Sequence, residues 1–191
     1  DSYTDQVGEL PGNGAVVGTR DRLLDELKTG GLPTRRVESW HYTDLKALLR
    51  SVPAALSTAP SLDVAAPLIE NAQVFAVLQG VADSSAAIDG AGIAAYAASL
   101  ADGSAADGLA ALDRDDAIGK INGSFVRDGY RIDIPAGAVL DAPIELQAVH
   151  GAGQIHTRFP VTFGAGAKAT IIERHRSATG EAALVSSISD V

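Results

Sequence analysis

The chain has 191 residues, 15 Lys and Arg against 24 Asp and Glu, a net charge of -9, no cysteine and no methionine. That length suits one large or two small domains, and the acidic balance disfavours a nucleic-acid or anionic-membrane binder, which needs a basic surface. Without cysteine, a disulfide framework, a thiol nucleophile and a thiolate metal site are all excluded within these residues.

Hydrophobic residues reach 46%, but 34 of them are alanine, so the set able to build a core is smaller than the percentage suggests. The missing initiator methionine reads as a processed chain or a piece of something longer. The start, Asp1 to Gly8, is polar and acidic, with neither a basic n-region nor an apolar h-region. No low-charge stretch runs to a spanning length, so a soluble cytoplasmic protein is expected.

Charge divides the chain into three regions. Arg20 to Arg50 is slightly basic, Ser51 to Asp113 has no Lys or Arg at all, and Arg114 to Val191 is nearly balanced. In the first region, Thr19 or Asp21 caps a predicted helix with Leu23, Leu24 and Leu27 on one face, stopped by Gly30-Gly31. Leu32 precedes Pro33 and must be extended. Thr43 or Asp44 starts a short second helix with Leu45, Leu48 and Leu49 inward, and Pro53 lies past its end.

The middle region is rich in alanine, which patterns weakly, and a poorly packed insert is one reading of it. Gln73 to Leu78 predicts a strand, followed by a turn at Gly80, and Ile88 to Tyr96 predicts short strands punctuated by Gly90 and Gly92. Leu109, Leu112 and Ile118 to Phe125 have helical spacing, with Asp113, Asp115 and Asp116 suited to a first turn.

After Asp128-Gly129 the pattern becomes β. Arg131 to Ile134, Pro143 to Val149, Ile155 to Phe163, Ala169 to Arg174 and Ala183 to Ile188 all alternate with period two. Ile132, Ile134, Ala136, Gly137 and Ala138 recur 29 residues on as Val161, Phe163, Ala165, Gly166 and Ala167. A repeated β unit with small corner residues favours a solenoid, although a sandwich alternates similarly. Ala182 to Val191 is still strand-like, with no cap or turn, which predicts that the chain stops before its fold does. The reading is an α+β chain: a helical and mixed region over 1–127, then the start of a β-helix domain over 128–191.

Candidate chemistry is sparse. His41 lies between Trp40 and Tyr42, where packing or hydrogen bonding is expected. Glu173 and His175 share a strand face and could supply two metal ligands or an acid–base pair. His156 and Arg158 could together bind an anion. In both cases a plain solvated face is the commoner outcome. Asp113, Asp115 and Asp116 read as helix-start charges. Gly151-Ala152-Gly153 and Gly164-Ala165-Gly166 read as turns, since no helix follows. No catalytic, cofactor-binding or metal residue is assigned.

One stretch is distinctive: Leu32-Pro33-Thr34-Arg35-Arg36-Val37-Glu38-Ser39-Trp40-His41-Tyr42-Thr43. It resembles the N-terminal signature of the SufD family, subunits of the SufBCD iron–sulfur cluster assembly complex. Ile121-Asn122-Gly123-Ser124-Phe125 with Asp128-Gly129 is similar to that family's junction ahead of its β domain. Ile132-x-Ile134-Pro135-x-Gly137, Pro143-Ile144, Gly166 and Ile171-Ile172-Glu173 continue in the same order. Ser124 stands where the family usually has Ala, the segment 51–113 matches only around Gln73 to Gly80, and SufD-like chains are considerably longer.

The resemblance implies a helical region followed by a right-handed parallel β-helix, acting as a non-catalytic scaffold. It implies protein–protein interaction with a SufB-like subunit and a SufC-like ABC ATPase, through surfaces beyond Val191. No cofactor is expected within the chain, and an iron–sulfur cluster only at an interface outside it. Trp40 and Tyr42 are expected to anchor the N-terminal helices by packing. A β-solenoid carbohydrate-binding or polysaccharide-lyase-type protein is the alternative, and an interaction domain offering its acidic middle to a basic partner is a third reading. An unfinished solenoid end is a sheet edge, so self-association is open.

Overall fold

A computed structural model describes residues 6–56, 61–83 and 87–191. The first five residues of the polar start lie outside the described set. The chain is mixed α+β, with four α-helices and two four-stranded sheets among the described residues.

Helix α1 spans Gly14–Gly30. It begins earlier than expected, because the Asn13 side chain, not Thr19 or Asp21, accepts from the Ala15 and Val16 N–H groups. Its end is as expected: Gly31, at φ 70°, takes the cap, and its N–H returns to the Leu27 carbonyl. Leu23 and Leu24 are buried and Leu27 half-buried. Asp44 caps the single turn α2 (Leu45–Leu48) by accepting from the Ala47 N–H. Only Leu45 is buried there; Leu49, just past the turn, is half-buried and Leu48 is 69% exposed, because a four-residue turn presents one position inward, not three.

Strand β1 (Gln73–Leu78) falls where the sequence placed it, and the turn at Gln79 and Gly80 returns the chain as β2 (Val81–Ala82). Strand β3 (Gly92–Ala95) runs into α3 (Tyr96–Asp102), a helix the alanine-rich pattern did not reveal. Asp116 caps α4 (Ala117–Phe125) through the Gly119 N–H. Leu109 and Leu112 are not part of that helix. Leu109 is buried in a separate 3-10 turn (Asp107–Leu109), and Leu112 is 91% exposed.

Five strands follow: β4 (Asp128–Ile134), β5 (Ile144–His150), β6 (Gly153–Phe163), β7 (Ile171–Ser177) and β8 (Ala183–Asp190). They enter the two sheets alternately. One sheet has the order β2-β1-β5-β7 and the other β3-β4-β6-β8. β1–β2 and β3–β4 are antiparallel, while β1–β5–β7 and β4–β6–β8 are parallel. Both sheets therefore draw strands from before and after residue 128.

The 29-residue echo is a physical register. Ile132 pairs with Val161, Ile134 with Phe163 and Val139 with Lys168, and Gly137 and Gly166 both turn the corner at φ 72°. Between the sheets lies the main core, including Phe75, Val77, Tyr130, Ile132, Ile144, Leu146 and Phe159. A second cluster packs α1 against α3 and the Leu109 turn through Val16, Leu23, Tyr96 and Leu100.

Candidate functional site

The junction resembling the SufD family is a set of structural joints. Asn122 is fully buried, and its amide donates to the Thr157 carbonyl (3.0 Å), the Ser186 carbonyl (3.2 Å) and the Ser186 hydroxyl (3.1 Å). One side chain thus binds α4 to two parallel strands. Asp128 accepts from the Ala82 N–H at 2.9 Å and the Ala97 N–H at 2.7 Å, tying β4 to β2 and α3. At Gly129 a Cβ would collide with the Arg158 carbonyl of the paired strand, so only glycine lets β4 and β6 close. A Cβ on Gly123 would strike the Leu109 carbonyl and the Leu23 side chain.

The Leu32–Thr43 stretch has one such anchor. Trp40 is half-buried and its indole N–H donates to the Asp115 carbonyl at 2.9 Å. Tyr42 does not anchor anything: it is 90% exposed, edge-on to the exposed His41 ring. Beneath this stretch lies an open groove of about 1030 Å³ between α1 and residues 110–117, with Leu27, Pro33, Val37 and Lys120 among its lining. Asp113 and Asp116 serve the local backbone, Asp116 as helix cap and Asp113 as acceptor for the Asp115 N–H, while the Asp115 carboxylate lies 3.5 Å from Arg114 Nε.

His156 and Arg158 lie under the helical layer and not on an open anion-binding face. His156 is 3% exposed, faces Phe125 at a ring separation of 5.4 Å, and its Nδ1 meets the Ser186 hydroxyl at 2.7 Å. Burial, aided by the positive charge of Arg20, pushes this ring down to about 4, so it is neutral. Arg158 is neutralised by Asp190 at 2.7 Å.

Glu173 and His175 do meet, and they recruit a second imidazole, that of His150, to which sequence reasoning gave no role. His175 Nε2 lies 2.7 Å from Glu173 Oε1, and His175 Nδ1 lies 2.8 Å from His150 Nε2. The parallel register sets Ala148 against His175, which places His150 on the adjacent strand diagonally across. The centroid separation of 5.1 Å with an 18° interplanar angle fits two rings nearly in one plane, edge to edge across the 2.8 Å contact. It does not fit face-to-face stacking.

Glu173 is held from the opposite sheet as well, by the Ser187 hydroxyl at 2.9 Å and the Ser189 hydroxyl at 2.5 Å. The His175 bond, reinforced by both serines, outweighs burial and holds this carboxyl down at about 2. Burial, with the neighbouring His175, pushes His150 down to about 4. With Glu173 ionised, His175 donates from Nε2, and in its neutral form presents a bare Nδ1 to the His150 Nε2–H. The His150 Nδ1 is buried with no partner among the described residues.

The spacing of Glu173 and His175 could reveal their common face. His150, Ser187 and Ser189 become visible only once the strand register is known.

Among the described residues, no group of three or more His, Asp and Glu side chains could hold a metal ion, and no helix is long and apolar enough to cross a membrane. No family model matches the chain, and no curated protein matches it.

Proposed function

We propose that the chain is a SufD-like, non-catalytic scaffold of a cytoplasmic iron–sulfur cluster assembly complex, acting through protein–protein contacts with a SufB-like subunit and a SufC-like ATPase. In this reading the two sheets are two faces of a right-handed parallel β-helix, and each successive coil gives one strand to each face. Alternation of strands between the sheets, parallel pairing and matched glycine corners at 137 and 166 support that architecture.

The observation that carries the proposal is the position of the motif residues. Asn122 and Asp128 tie helices to strands, Gly123 seats α4 against α1 and the Leu109 turn, and Gly129 lets β4 and β6 close, so the motif residues carry a load on architecture. Motifs spent on joints are what a scaffold needs.

Affinity capture of the native, chromosomally tagged protein tests the assignment. Recovery of an ABC-type ATPase together with a second β-solenoid subunit is the expected result. Binding or cleavage of acidic glycans without those partners would instead establish the carbohydrate reading and overturn this one. Anaerobic reconstitution of residues 1–191 with iron and sulfide should give no cysteine-ligated cluster absorption, because the chain has no cysteine.

A further inference from the structure

We propose that His150 Nε2 and His175 Nδ1 form a two-histidine binding site for a zinc-class divalent ion, with Glu173 as its positioning residue. The argument starts from convergence. Two imidazoles from adjacent strands direct in-plane nitrogens at one point, 2.8 Å apart, where a single proton now lies. Imidazole nitrogen suits zinc, copper and nickel, and the metal–nitrogen bond is about 2.0–2.1 Å. Tetrahedral coordination asks for nitrogens about 3.4 Å apart with lone pairs converging at about 109°, so the two edge-to-edge rings need to part by roughly half an ångström and each turn by roughly 35° off their common line.

Three further features separate this pair from an ordinary hydrogen bond. First, the far nitrogen of His175 is fixed by a carboxylate, the arrangement that orients metal-bound histidines, and that carboxylate is itself fixed by Ser187 and Ser189 across the sheets. Second, no partner on His150 Nδ1 obliges the ring to keep its proton on Nε2. On metal binding the ring stays neutral by carrying its proton on the buried Nδ1, once a local opening lets it exchange there, and its Nε2 lone pair goes to the ion. Third, the His175 side chain is 36% exposed, which gives the ion an entry path and leaves room for water at the remaining positions. Glu173 is bonded to the opposite nitrogen of His175, so it stands behind the site and is not a ligand. Two protein ligands make this a site for exchangeable binding, unlike the closed four-ligand sites that hold structural zinc.

Titrating the 191-residue protein with Zn²⁺ at neutral pH, by calorimetry and by nitrogen NMR of the histidine side chains, tests this. The expected result is one equivalent bound, with the coordination shift confined to His150 Nε2 and His175 Nδ1. His175→Ala, at a half-exposed position, should lower affinity at least tenfold in protein shown to be folded by its circular dichroism. Glu173→Gln should lower it roughly tenfold or more while leaving the stoichiometry unchanged. His41→Ala, at an exposed ring far along the chain, should change nothing. Failure of the wild-type protein to take up Zn²⁺, or uptake unaltered in His175→Ala, would show that the two rings share only a proton and would overturn the proposal.

Discussion

Arg20 is the residue on which the junction between helices and sheets depends most. It is 1% exposed, and its guanidinium donates to the carbonyls of Gly123 (3.2 Å), Ser124 (3.1 Å), Val126 (2.8 Å) and Pro11 (3.0 Å). Three of these belong to the last turn and cap of α4, where carbonyls lack intrahelical partners and the helix dipole favours a cation. In Arg20→Met the side chain still fills the space, but three buried acceptors are orphaned, each at a cost of about 1–3 kcal/mol. Releasing the desolvated charge returns part of that. The net loss should be about 3–5 kcal/mol, which for a domain of this size lowers Tm by roughly 6–20 °C. Arg20→Lys should fall between, since an ammonium cannot reach all the carbonyls at once. Urea and thermal unfolding measure both variants. If Arg20→Met unfolds within about 1 kcal/mol of the wild type, the idea that this side chain caps α4 is wrong.

Gly129→Ala should destabilise the protein severely and lower the yield of folded chain, because the new Cβ meets the Arg158 carbonyl within the β4–β6 pairing. The same change at Gly108, where nothing surrounds the site, should leave Tm nearly unaltered. Acid should weaken the fold through His156. Its folded value of about 4 lies below the ordinary 6.5, so the unfolded chain binds a proton that the native one refuses. That penalty is absent above about pH 6.5 and grows to about 3 kcal/mol as pH falls to about 4. A pH series of urea unfolding should show His156→Gln with a shallower acid slope than the wild type, and equal slopes would refute the assignment.

A short apolar run ended by a turn was enough to place β1, and alternation placed the five strands from Asp128 onward, because each of those five segments carries its own period of two. Asp44 and Asp116 were likewise readable, since a cap acts within three residues of itself. Local pattern failed in the alanine-rich middle. A methyl group distinguishes faces poorly, so α3 became legible only from the burial of Tyr96 and Leu100 against α1. Asn13 displaced Thr19 as a cap because Val16 has a pocket to fill one turn earlier.

By itself the sequence determined the absence of thiol chemistry, the β texture after residue 128 and the 29-residue repeat that proves to be a strand register. Tertiary structure alone decided which polar groups meet. Asn122 reaches Ser186 across 64 positions, Arg20 reaches Val126 across 106, and His150 joins His175 across 25. The physical reason is common to all three. A cap or an alternating strand is specified by neighbours in the chain, whereas the packing of helices and the register of strands bring together residues whose meeting depends on the length of every element and turn between them.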